Sequence, residues 1–373
     1  MYLPMHDAEY LNRLASRVGS FLENTFAAMH FEGPALDPAY LGRLSLMPVC
    51  THRSHTDYFI LGSFLHRIGV HNIRYAAGDN LTGLPLIGPR FLSWGAFPVS
   101  RTRAMNRTYV RTLCEQVVAM LNDGGNVIVF PEGGRSYKGN MMEIKYGLIG
   151  ASIVAQWRNP EREHAFFPLT ISYERLPEVR YFETLEKGRA IRKANGYLLN
   201  RIRGNMLYFG ADLMACTEFI LANKSRKKHG EVFIDYREPV RVSDIVDLKE
   251  CYSAKARDDF SAFRRAMQVA GNHLFEEFMR LYRLLPIHIC AAATGGDRSC
   301  PRAAVIDRAG TIVARARDQK RNTKSLDTLT EEQIVDKGTE QLAALRAVTS
   351  RRNTIVVRRP SIVSYHAASI APE

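Results

Sequence analysis

Thr51-His52-Arg53-Ser54-His55-Thr56-Asp57, leading into the apolar run Tyr58–Ile68, and Val127-Ile128-Val129-Phe130, leading into Pro131-Glu132-Gly133-Gly134-Arg135-Ser136, are the stretches that decide how this chain reads. In both, a polar cluster interrupts sequence that would otherwise be core. The first opens a run that is apolar on most of its circumference, as in a helix buried at the centre of a domain. The second closes a short strand-like run. Just upstream, Leu44–Val49 reads as a strand that delivers the chain to His52.

Further strand and helix patterns surround these two stretches. Ile73–Ala77 is strand-like and ends at Gly78, and Met105, Tyr109, Leu113, Val117 and Met120 repeat at near-helical spacing up to Asn122-Asp123-Gly124-Gly125. Ile144–Trp157 predicts another helix and Phe166–Tyr173 another strand. Between them, 81–95 is rich in Gly, Pro and Leu and reads as loop with apolar side chains. Strands alternating with helices over 44–174 imply an α/β layered domain.

Towards the ends the expectations are helical. Leu11, Leu14, Val18, Leu22 and Phe26 predict an amphipathic helix over 8–29, broken by Gly33 and Pro34. Residues 178–230 are basic and mostly helical in pattern, Val232–Tyr236 is a strand, and Phe260 to Leu281 mark a long amphipathic helix ending at Pro286. Residues 294–326 are polar and read as mobile, while Thr330-Glu331-Glu332-Gln333 is a capping box that starts a helix reaching about Val348. The expected fold class is therefore α/β, a mixed sheet flanked by helices. Its organisation is an N-terminal helical segment (1–40), a catalytic domain (41–285, motifs in 48–174) and a helical, partly mobile C-terminal extension (286–373).

Composition narrows the function. The 373 residues, 46% hydrophobic and 24% charged, suit a globular chain with a sizeable core. Fifty-one Lys and Arg against 38 Asp and Glu leave a net charge of +13, which attracts a polyanion: nucleic acid, an anionic membrane surface or a phosphorylated substrate. The basic residues are not interleaved with an aromatic platform or a zinc-finger spacing, which argues against a nucleic-acid partner. A basic lipid- or nucleic-acid-binding protein with a structural His-Asp cluster is the alternative of another class.

No run reaches the roughly 18 apolar residues a spanning helix needs. Tyr58–Val70 and Leu284–Ala293 are short or carry His66, Arg67 and His288, so bilayer contact is expected to be peripheral. Met1–Asp7 has no signal-peptide pattern, which predicts the cytoplasmic face. Six scattered cysteines with no Cys-x-x-Cys read as reduced thiols and not as a disulfide framework or zinc site.

His52 and Asp57 cannot share one face of a continuous helix, because five residues advance the chain about 140° past a full turn. The histidine therefore sits in a turn before the helix, with Ser54 or Thr56 capping and Asp57 folding back to accept from one ring nitrogen. That pairing fixes the tautomer and leaves the other nitrogen basic, as needed to activate a hydroxyl. In the second cluster Gly133 and Gly134 permit close backbone approach, and Arg135 supplies a planar fork for phosphate or carboxylate, with Ser136 and Lys138 adding donors. Glu132 needs either Arg135 or a substrate hydroxyl as partner. Arg101 ends the apolar Gly95–Val99 run and would bring a charge to the rim of an apolar groove.

Taken in order, these blocks resemble the glycerolipid acyltransferases, and most closely the bacterial-type glycerol-3-phosphate acyltransferases. His52–Asp57 matches their first block. Ala76-Ala77-Gly78 with Gly95-Ala96-Phe97 and Arg101-Thr102 is similar to the second, Phe130 with Glu132–Ser136 to the third, and Phe167-Pro168-Leu169 to Tyr173-Glu174 to the fourth. The resemblance implies that His52 deprotonates the 1-hydroxyl of glycerol 3-phosphate, which attacks an acyl thioester of coenzyme A (acyl-CoA) or acyl carrier protein, with Asp57 orienting the histidine. It implies acceptor-binding roles for Arg101, Glu132, Gly133, Gly134, Arg135 and Ser136, with Lys138 and Pro168 beside them, and no metal or redox cofactor. Ser100-Arg101 where the family has paired arginines, and Pro131, which is similar to the lysophosphatidate acyltransferases, keep a lysolipid acceptor as the alternative.

Overall fold

The computed structural model describes residues 8–78, 88–100, 106–176, 178–193, a few positions between 203 and 214, 229–255 and 261–370. Its centre is a mixed sheet in the order β1 (Phe26–Glu32), β7 (His229–Tyr236), β6 (His164–Tyr173), β2 (Ser45–Cys50), in which β6 also pairs with β8 (Val240–Arg241). A second, parallel sheet runs β4 (Ala96–Val99), β3 (Ile73–Gly78), β5 (Asn126–Ile128). The two meet at a parallel bridge between Val49 and Val129, where Cys50 N donates to Val129 O at 3.1 Å and Val129 N to Pro48 O at 2.9 Å. That junction positions the site, because it sets the carboxyl ends of β2 and of the β5 line side by side. The carboxyl ends of parallel strands are where α/β sheets hold ligands.

Every residue of β2 and β6 is buried, and both read in sequence as nearly continuous apolar runs, as strands covered on two faces do. The helix Asp57–Arg67 buries Ile60, Leu61, Phe64 and Leu65, and Phe64 meets Phe167 of β6 at 6.3 Å between ring centroids. Phe64 stacks on Phe31 of β1 at 5.3 Å between ring centroids, so this helix also ties in the edge strand. The mixed sheet flanked by helices is as expected, and the five described cysteines (50, 114, 251, 290, 300) are free thiols.

Four local expectations are corrected. The N-terminal helix stops at Thr25, and Phe26–Glu32 is a strand in parallel register with His229–Asp235. Short apolar sequence fits either period, and pairing with a strand some 200 residues away decided it. Within 81–95, Gly88–Ser93 is a short helix, and 79–87 lie outside the described residues.

Residues 294–326 are ordered, with Ser299–Pro301 as a strand (β9) and Arg302–Asp318 as a helix burying Val305, Ala309, Val313 and Ala316. Those four stand at four- and three-residue steps between charges, a stripe that polar composition hides. The capping box at Thr330 and Gln333 is present, but its helix ends at Ala344 and Val348–Arg351 is a strand (β10) paired with Thr354–Val357 (β11). Around the helix Pro286–Ala293, buried at every position but Ala292, these elements form a C-terminal layer, joined to the sheet by Arg283, which pairs with Asp235 at 2.5 Å and with Glu32 at 2.9 Å.

Candidate active site

His52 follows β2 in a turn, as its spacing to Asp57 requires, and Asp57 is the first residue of the next helix. Asp57 Oδ2 accepts from three neighbours at once: His52 Nδ1 at 2.9 Å, Arg53 N at 2.7 Å and Ser54 N at 2.9 Å. Its Oδ1 accepts from the Tyr173 hydroxyl at 2.5 Å. The carboxylate is wholly buried, and a buried carboxylate persists only when hydrogen-bonded in this manner. Ser54 Oγ, and not Thr56, makes the side-chain contact at the helix start, accepting from Thr56 N at 3.1 Å.

A carboxylate on Nδ1 makes that nitrogen the donor and leaves Nε2 of the neutral ring as the acceptor. The ring lies against Phe130 at 4.3 Å between centroids and meets the edge of Tyr58 at 5.3 Å. Burial pushes the His52 pKa down to about 4, against the opposing pull of Asp57. At neutral pH His52 is therefore an uncharged base held by a fixed anion.

The second loop lies against the first. Ser136 N donates to His52 O at 3.1 Å, and Gly133, at φ 70°, closes a turn back to Phe130 O at 3.0 Å. Any side chain at 133 would strike Lys145, whose Nζ lies 2.9 Å from where a Cβ would stand. Ser136 is buried, and its Oγ bonds Asn140 Oδ1 and Gly139 N at 3.3 and 3.1 Å. Sequence reasoning did not single out Lys145, although a lysine ten residues after Arg135, past a Gly-rich turn, was visible.

The ion pairs differ from the expectation. Glu132 is buried and pairs with Arg53, whose NH1 is 3.5 Å from its Oε2, and not with the neighbouring Arg135. Arg135 is also buried, lies 3.7 Å from Glu178 Oε1 and sits over the Tyr137 ring. Glu178 in turn accepts from Ser54 Oγ at 2.7 Å and His55 N at 2.8 Å, linking the two loops. Arg53, Tyr173 and Glu178 are thus site residues that the two motifs did not assign.

The remaining expected residues spread out. Lys138 is 67% exposed and pairs with Glu186 at 3.6 Å. Pro168 is buried in β6 opposite Val49, at the gap where β6 changes partner from β8 to β7, so its missing N–H costs no ladder bond. Arg101 lies outside the described residues. Among the described residues no group of three or more His, Cys, Asp or Glu is placed to hold a metal ion.

Residues 43–171, which hold the buried His52–Asp57 pair and the glycine-rich turn beside it, match the family model described as Acyltransferase. A glycerol-3-phosphate acyltransferase of Actinobacillus pleuropneumoniae serotype 5b is 30% identical over 237 residues, 63% of this chain and 26% of that protein. The enzyme of the same name from Haemophilus influenzae (strain PittEE) is 32% identical over 187 residues, 50% of this chain and 23% of that one. That of Alteromonas mediterranea is 27% identical over 274 residues, 72% and 31% of the two chains. These matches support placing the chain among the glycerolipid acyltransferases, while it spans only about a quarter to a third of the length of the relatives it matches. Among solved structures, the 1-acyl-sn-glycerophosphate (LPA) acyltransferase PlsC of Thermotoga maritima aligns at 16% identity and a TM-score of 0.37, over 73% of this chain and 83% of that one, a likeness too loose to argue from.

Proposed function

We propose that this protein is an O-acyltransferase that moves a fatty acyl group from a thioester, of coenzyme A or acyl carrier protein, to the 1-hydroxyl of glycerol 3-phosphate. The observation that carries the reading is the buried His52–Asp57 pair, with Nδ1 donating at 2.9 Å and Nε2 left as a base. In the proposed reaction Nε2 takes the hydroxyl proton as the oxygen attacks the thioester carbonyl. The tetrahedral intermediate then collapses, the C–S bond breaks, and the imidazolium returns the proton to the departing thiolate. Asp57 stabilises the transient imidazolium. No metal or redox step enters, since the thioester is already activated.

The acceptor phosphate is assigned to the turn Glu132–Ser136, where Arg135 and Lys145 bring positive charge; phosphate would compete with Glu178 for Arg135. Pro168, inside the sheet, then acts by shaping β6 and not by contact, and Lys138 acts from the rim. The test is thiol release from a defined acyl thioester across a panel of acceptors. Release with glycerol 3-phosphate and a loss of about 10³-fold in His52→Ala are expected. Release with lysophosphatidate alone would move the assignment to the lysolipid class, and undiminished turnover in His52→Ala would sink the mechanism.

Peripheral contact with an anionic membrane surface belongs to the same proposal. Residues 187–228 hold ten Lys and Arg against Asp212 and Glu218, a net of +8 out of the chain's +13. In that segment Met206, Leu213 and Met214 are 71, 67 and 56% exposed, and among the described residues no helix is long and apolar enough to cross a membrane. Basic residues with exposed apolar side chains suit an anionic lipid interface. The protein is expected to co-sediment with phosphatidylglycerol-containing vesicles at low salt, and failure to do so would remove this part.

A further inference from the structure

Arg53 is among the largest fully buried side chains of the molecule, and it stands next to the proposed base. A guanidinium out of water is costly unless its surroundings are arranged for it. Here they come from three separate parts of the chain. NH1 faces Glu132 Oε2 at 3.5 Å and donates to Asn140 O at 3.0 Å, so one nitrogen holds both ends of the second loop. The planar group lies over the ring of Tyr282, 5.3 Å from its centroid, beyond the long helix Ser261–Leu281. Meanwhile Arg53 N donates to Asp57 Oδ2.

The C-terminal layer touches the same loop again. Ser369 Oγ donates to Gly139 O at 3.2 Å, and a Cβ at Gly139 would collide with Tyr365 O. Burial works against the Arg53 charge, but Glu132, Tyr282 and Tyr365 outweigh it and hold its pKa above the ordinary value.

We infer that Arg53 is a positioning residue that fixes the Glu132 carboxylate against the His52 loop, and that Tyr282 in the C-terminal part of the chain holds Arg53 in that pose. Tyr282 then supports the site through Arg53, as Tyr365 and Ser369 support the loop at Gly139. Arg53 touches neither substrate nor reacting atoms. It acts through Glu132, which the acyl-transfer reading assigns to the acceptor, and the inference rests on that reading.

The experiment is a double-mutant cycle on kcat/KM for the acceptor, with Tm recorded for each variant to confirm folding. Arg53→Met is expected to lose about 100-fold, the scale of an ångström-size misplacement, and Arg53→Lys less. In a Glu132→Gln background the same Arg53→Met change is expected to cost under about threefold, because its route of action is already gone. Tyr282→Phe keeps the ring and is expected to lose less than Tyr282→Ala, which covers the case in which Arg53→Met fails to fold. Wild-type turnover with multiplicative losses at 53 and 132 would overturn the inference and leave acyl transfer intact. A wild type that releases no thiol with any acceptor would overturn both.

Discussion

Asp57 draws hydrogen bonds from His52, Arg53 and Ser54, all within five positions of itself, whereas Glu132 pairs with Arg53 79 positions away and Arg135 with Glu178 beyond an intervening helix and strand. The first loop is mostly a local device, since three of the four donors to Asp57 lie within five positions and Tyr173 of β6 is the fourth. The second is held by distant parts of the chain, including the C-terminal layer. The pair proposed for proton transfer is built mostly from short-range contacts. The proposed recognition surface is built from long-range ones, which change with any shift in packing. Substitutions that act on one loop only separate these two modes.

The largest effect belongs to the local loop. Asp57→Asn keeps the shape but turns an acceptor for His52 Nδ1–H into a group that can favour the wrong tautomer, and kcat is expected to fall by about 10³–10⁴-fold. Steady-state kinetics at saturating acceptor checks it, and a change in KM alone would show that the pair binds and does not activate.

Acid is the next probe. Burial holds His52, His164 and His366 at about 4, 4 and 3, below the ordinary 6.5. Between pH 6.5 and those values the unfolded chain binds protons that the folded chain refuses, so stability is full above 6.5 and falls as the pH drops. His52 alone contributes about 3 kcal/mol across that window. Urea midpoints at pH 7.5 and 5 are expected to fall accordingly, and the acid limb of kcat/KM is expected nearer 4 than 6.5. A limb at 6.5 would show that the histidine is open to water in the working enzyme.

Gly139→Ala strikes the second loop from the other side. At φ 89° and against Tyr365 O, a methyl group forces the backbone apart, with an expected loss of about 2–4 kcal/mol in thermal or urea unfolding. Acceptor KM is expected to rise more than kcat falls, because the His52 loop keeps its own hydrogen bonds. The smallest effect is at Tyr173→Phe, which removes one donor from Asp57 and leaves three, with an expected loss of about tenfold in kcat. A loss as large as that of Asp57→Asn would make Tyr173 an equal partner and join the two modes of construction.

How much of this was legible in the sequence follows the same division. The strand–turn–helix at Leu44–Ile68 could be read because its periodicity is local, and the geometry of a five-residue spacing already demanded the turn at His52. Glu132 and Arg135 could be recognised as polar groups out of place, but adjacency suggested that they pair with each other. The start of strand Phe26–Glu32 falls inside the helix expected over 8–29 for a related reason, since its partner β7 lies some 200 residues on. In the helix Arg302–Asp318, abundant charges masked a four-residue stripe.

By itself the sequence determined the His52–Asp57 pairing, the tautomer logic and the alternation of strands and helices, because each depends on contacts within a turn or two of chain. Only the tertiary structure decided which carboxylate neutralises which arginine, that Tyr173 and Glu178 join the site, and that the C-terminal layer reaches back to Arg53 and Gly139. Burying a charge requires a counter-charge at that point in space, and the chain can supply it from any distance along its length.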